Sequence, residues 1–184
     1  MNNILRKPFT NAQWFEFVDF MNSTGRTSYE TDEAVFALLP NEIVNDEGEI
    51  VENPEWPSMQ LQKRRQERMQ EVFEKFAAAQ NKPLPFSDYF LLAAWATTYV
   101  NTLMQAQRFM ELGVKDDFPV LVIRRDGSFA NIIISEIEDF MPMFDVVEKE
   151  DARLKSLRNL LIVEVQDAKT IEELEAVEID YTMW

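Results

Sequence analysis

No cysteine and no histidine occur anywhere in this sequence. Without cysteine there can be no disulfide framework, iron–sulfur cluster, thiolate zinc site or cysteine nucleophile. Without histidine the commonest general base and metal ligand is missing. Glycine is scarce, at 4 residues, so few positions demand a positive φ and a glycine-rich phosphate loop is excluded. Bases are outnumbered, 18 Lys and Arg against 33 Asp and Glu, for a formal net charge of −15. Nucleic-acid phosphates and anionic membranes repel such a chain, so direct binding to either is not expected. No window reaches about 18 apolar residues, so no membrane span is expected. The opening "MNNILRKPFT" lacks the apolar stretch of a signal peptide. The expected location is therefore intracellular, or inside a particle assembled there.

What the chain does have is core material. Hydrophobic residues make up 46% of it, with 14 Phe and 4 Trp, enough to bury a core and offset ordering entropy. At 184 residues it is expected to form a single domain spanning 1–184. The acidic excess lies mainly in two blocks, Glu16 to Glu55 with Arg26 as the only base, and Glu164 to Asp180 with Lys169 as the only base. Such a surface keeps the chain soluble, and it also fits a basic partner.

The first part, 1–56, reads as a helix followed by an acidic hairpin. Thr10 and Gln13 form a capping box that opens the helix, and Gly25 closes it. Trp14, Phe17, Val18 and Met21 share one face, whereas Phe15 and Phe20 lie off it and offer a second contact surface. "AVFALLPNEIV", "NDEG" and "EIVENPEWP" read as extended segments around a turn with Gly48 in the left-handed position. The middle part, 57–147, begins with the amphipathic "PSMQLQKRRQERMQEVFEKFAAAQN", whose seam is Leu61, Arg65, Met69, Val72, Phe73 and Phe76. Lys63, Arg64 and Arg68 fall off or beside that seam, where they can pair with the chain's own carboxylates. Ser87 is expected to cap a long buried helix, Asp88–Leu112, closed by Gly113. "FPVLVIRRDGSFANIIIS" carries the clearest strand signal, two apolar runs about the turn cue Asp126-Gly127. "SEIE" from Ser135 reads as a capping box for a short helix ending near Met141-Pro142. The last part, 148–184, reads as a helical hairpin: a seam of Leu154, Leu157, Leu161 and Val165, then a helix capped by Thr170 and Glu173 with Ile171, Leu174 and Val177 facing back.

Each enzymatic template lacks a required part. A serine nucleophile would need a lysine partner, and no serine sits on a nucleophile elbow. Carboxylate groups such as Glu30/Asp32/Glu33, Asp116/Asp117 and Glu148/Glu150/Asp151 are plentiful, but none ends a strand beside a lysine as a metal-dependent nuclease would want. No catalytic, cofactor-binding or metal-binding residue is expected.

The pattern Arg158…Leu161…Val165…Ala168-x-Thr170-Ile171-Glu172-Glu173-Leu174-x-Ala176 resembles the C-terminal hairpins of small acidic bacteriophage proteins from tail and tail-fibre gene regions. So does the acidic hairpin "NDEGEIVENPEW" ahead of the charged helix "KRRQERMQ". The two pieces together cover about a third of the chain. The resemblance implies a non-enzymatic structural or assembly protein, part of a virion tail or its connector or a tail assembly chaperone, found in the host cytoplasm or the virion. Its partners would be phage structural proteins or further copies of itself, with no direct contact to nucleic acid or membrane. The expected architecture is α+β and α-rich: a central buried helix, amphipathic helices, one or two β-hairpins and a C-terminal helical hairpin. The expected contact residues are the apolar Phe15, Phe20, Trp56, Tyr181 and Trp184. The acidic block Glu42, Asp46, Glu47, Glu49 and Glu52 supports an alternative, an inhibitor that presents carboxylates where a host defence enzyme expects nucleic-acid phosphates.

Overall fold

A computed structural model describes residues 3–113 and 117–182. The fold is α+β and helix-rich. Where composition leads to a single domain, the contacts gather into two compact units, Met1–Gln62 and Lys63–Trp184.

In the first unit, strand β1 (Ile4–Arg6) precedes helix α1 (Asn11–Thr24), and strands β2 (Thr27–Glu30) and β3 (Ala34–Leu38) follow. They form an antiparallel sheet in the order β1-β3-β2. All five residues of β3 are buried, because both its faces are covered. Val35 and Ala37 meet Phe17 and Met21 of α1, while Ala34, Phe36 and Leu38 meet Val44 and Ile50. Pro40 has no N–H for a sheet ladder, and β3 ends before it. The expected acidic hairpin is present as β4 (Glu42–Val44) and β5 (Ile50–Glu52), with Gly48 at φ 75° in its turn. The capping box of α1 also forms: Gln13 N donates to Thr10 Oγ1 (3.3 Å), and Thr10 N donates to Gln13 Oε1 (2.8 Å).

Helix α2 (Trp56–Gln80) carries the boundary between the units. In the second unit the expected helix Asp88–Leu112 is corrected. Its first residues form a hairpin, β6 (Leu84–Phe86) and β7 (Tyr89–Leu91), with Ser87 at φ 49° in the turn rather than at a helix cap. Helix α3 starts only at Ala96 and ends at Glu111. The reason lies in the Asp126-Gly127 hairpin, β8 (Phe118–Arg124) and β9 (Phe129–Ile134): a two-stranded ribbon is marginal by itself, and β7 pairs with β8 to complete a four-stranded sheet, β6-β7-β8-β9. Leu91, Val120, Val122 and Ile134 on its inner face meet Tyr99 of α3 and Phe140, Met143 and Val147 of the next helix.

That helix, α4, runs unbroken from Ile137 to Asp167, so the short helix expected to stop near Pro142 and the long one after it are a single element. Phe140 and Met143 are buried on either side of Pro142, and this packing outweighs the one helical hydrogen bond that proline removes. Ser135 does not cap it; its hydroxyl donates to Asp117 Oδ1 (2.6 Å). The most buried helix is therefore α4 rather than residues 88–112. Thr170 caps the short helix α5 (Ile171–Ala176) as expected, accepting from Glu173 N (3.1 Å); Leu174 is fully buried, but Ile171 is exposed.

Candidate protein-binding surfaces

The structure separates the expected contact residues into three groups. Phe15 is 67% exposed and free of the α1 core face. Phe20 is corrected: it packs against the α1–β3 cluster, its ring 6.4 Å from that of Phe17. Trp56 is half-buried at the start of α2. Tyr181 is also corrected, being 5% exposed rather than part of a free aromatic tail. Its ring lies 5.9 Å from that of Phe76, and its hydroxyl donates to Val72 O (3.1 Å). Trp184 lies outside the described residues.

Tyr181 is held because the basic cluster of α2 takes the carbonyls of the last segment. Arg65 Nη2 donates to Ala168 O (2.8 Å), Arg68 Nη2 to Val177 O, and Lys75 Nζ to Ile179 O (3.0 Å). Arg153 of α4 donates to Tyr181 O (3.1 Å). Arg68, expected off or beside the seam, is buried. Arg64 reaches solvent and grips Glu175 and Glu67, the pairing with the chain's own acids that its position implied. The groove of about 560 Å³ along this segment is thus lined by Arg68 and Lys75, which donate to its carbonyls, and by Lys82.

The acidic block divides in a similar way. Glu42 is not a free surface carboxylate: its Oε2 accepts from Arg26 Nη1 and from Leu39 N, each at 2.7 Å, tying β4 to the end of β3. Asp46, Glu47, Glu49 and Glu52 are exposed. Asp46 and Glu47 join Asp32 and Glu33, which the sequence reading did not combine with them, around a cleft of about 480 Å³. Arg6, Tyr29, Phe36 and Val44 complete its lining. Of the group Glu148/Glu150/Asp151, Asp151 is buried against Gln80 (2.9 Å) and Lys155 (2.6 Å), and Glu150 pairs with Arg153. Among the described residues no group of three or more acidic side chains is arranged to hold a metal ion.

A further surface was missed in the sequence. Alternation puts Pro119, Leu121 and Ile123 of β8 opposite Ile133, Asn131 and Phe129 of β9, on the side away from the core. Phe129 is 67% and Ile133 62% exposed, and Phe129 reaches the ring of Trp95 (6.2 Å). A solvated antiparallel sheet normally turns polar residues outward; here Asn131 is the one polar side chain among the six. The signal was present in "FANIII", which is apolar at nearly every position and so cannot bury all of itself with one face to the core. Helix α3 shows another apolar set, Val100, Met104 and Met110.

Compared with protein-family models, curated proteins and solved structures, the chain matches none.

Proposed function

We propose that this chain is a non-enzymatic structural or assembly protein of the bacteriophage type, a virion tail or connector component or a tail assembly chaperone, that works through protein–protein contact in the host cytoplasm or the virion. The observation that carries the reading is the apolar outer face of the second unit's sheet, with Phe129 and Ile133 exposed. Exposed apolar surface of this kind marks an interaction site. The likeness of residues 158–176 and of the acidic hairpin with its charged helix to small phage tail-region proteins supports the phage context.

The test is an affinity capture of the tagged chain from infected-cell lysate at low and at high salt, read by mass spectrometry. Capsid, tail or fibre proteins retained at high salt are the expected result, because apolar contacts survive screening. A catch that contains none of them at either ionic strength would sink the reading.

One observation favours a second reading, an acidic inhibitor that mimics nucleic-acid phosphates. Asp32, Glu33, Asp46 and Glu47 converge on a single cleft in a chain of net charge −15. Under this reading the same capture yields a basic nucleic-acid enzyme that elutes as salt rises.

A further inference from the structure

β9 is the edge of its sheet, and β8 is its only strand partner among the described residues. The direction of its free backbone groups follows from the turn that precedes it. Arg124 N donates to Ser128 O (2.8 Å) and Gly127 N donates to Arg124 O (2.9 Å), so Arg124 and Ser128 form a hydrogen-bonded pair across the bulge. Hydrogen-bonded and non-hydrogen-bonded pairs alternate along an antiparallel ladder. Ala130, Ile132 and Ile134 therefore bond to β8, while the N–H and C=O groups of Phe129, Asn131 and Ile133 point away from it.

Natural sheets protect such an edge with proline, lysine, a bulge or a very short strand. The opposite edge, β6, has three residues and contains Pro85. β9 has six residues, with no charge and no proline.

We propose that β9 pairs with β9 of a second copy of this chain about a two-fold axis at Asn131, joining two four-stranded sheets into one continuous sheet. The inference rests on the protein-contact reading and names the partner for this surface. The register that sets Asn131 against Asn131 also sets Phe129 against Ile133 of the other copy. Every outward N–H of one strand then meets an outward C=O of the other. The side chains agree with that register. Asn131 is an amide, both donor and acceptor, facing its own copy. Phe129 against Ile133 is an aromatic–β-branched pair, a favourable cross-strand combination.

Charge selects the same occupant. In a chain of net charge −15, most surfaces repel their own copies, but β9 brings no charged side chain to the seam. A self-complementary patch of this kind is what a two-fold interface requires.

The experiment is sedimentation velocity of the purified full chain over a concentration series, with two variants. Asn131→Pro removes an N–H that the β8 ladder does not use, and Ile133→Lys sets a charge at the seam. The wild type is expected to move toward twice the 21.6 kDa chain mass as concentration rises. Each variant is expected to weaken dimerisation by about a hundredfold or more, since a substitution acts twice in a two-fold dimer. Hydrogen exchange on the wild type gives a readout that needs no variant: the amides of Phe129, Asn131 and Ile133 are expected to be protected at high concentration and to lose protection on dilution. A chain that stays monomeric throughout the series overturns the proposal. So does a dimer that both folded variants retain, or one in which those three amides exchange freely. If the dimer fails while tail proteins are still captured at high salt, the contact reading stands without β9. If the dimer holds while no particle component is captured, the phage reading alone falls.

Discussion

Tyr181 shows how one side chain can decide where a segment lies. Its ring packs at a tilt against that of Phe76 and its hydroxyl reaches Val72 O, and burial pushes the phenol pKa upward. Tyr181→Phe keeps the ring and loses one hydrogen bond, and is expected to lower unfolding free energy by about 1 kcal/mol. Tyr181→Ala also leaves a cavity, and about 3–5 kcal/mol is expected by analogy with other buried aromatic truncations. Urea denaturation of both variants checks the order and the gap; equal, small effects would mean that the ring is not packed. In sequence, Tyr181 looked like part of a free aromatic tail because nothing nearby announces a partner. That partner is supplied by residues more than a hundred positions upstream on α2.

At the scale of elements, helix α2 holds the last segment through the Arg64–Glu175 ion pair and through Arg68 and Lys75, which donate to Val177 O and Ile179 O. Arg68 and Lys75 are themselves paired with Glu71 on the same helix. The Glu71 carboxyl is held below its ordinary value of 4.5, first by the hydrogen bond from Lys75 and further by Arg68; the Glu175 carboxyl is held low by Arg64. A carboxyl whose pKa is lower in the folded state stabilises the fold above its unfolded value, and that contribution is lost as pH falls through the folded value. Acidification below about pH 4.5 is therefore expected to loosen α5 and the segment after it. Hydrogen exchange of the α5 amides at neutral and at acidic pH is the measurement, and Glu71→Gln should flatten the difference. Unchanged protection across that range would remove these pairs from the account. The paired role of Arg64 was legible from charge spacing. Arg65 and Arg68 bonding to backbone carbonyls was not, because a carbonyl leaves no mark in a sequence.

For the whole molecule, net charge governs association. Two copies at −15 repel each other over distances that salt screens. Raising ionic strength from low to physiological is expected to tighten a β9 homodimer, whereas it would weaken a basic partner held at the cleft of Asp32, Glu33, Asp46 and Glu47. Sedimentation in a salt series separates the two, and a dimer that dissociates as salt rises would argue for a charged interface instead. The sequence by itself determined the α+β, helix-rich class, the capped starts of α1 and α5, the acidic hairpin and the Asp126-Gly127 turn. Each of these is local: a cap, a turn or a periodicity is written within a few residues. Tertiary structure alone decided that "DYFLL" is strand and not helix, since an apolar run fits either and the open edge of β8 selected the strand. It alone carried α4 through Pro142, buried Tyr181, turned Glu42 inward to Arg26, and left Phe129 and Ile133 outside, because each outcome depends on which distant surface arrives to cover, pair or leave a residue.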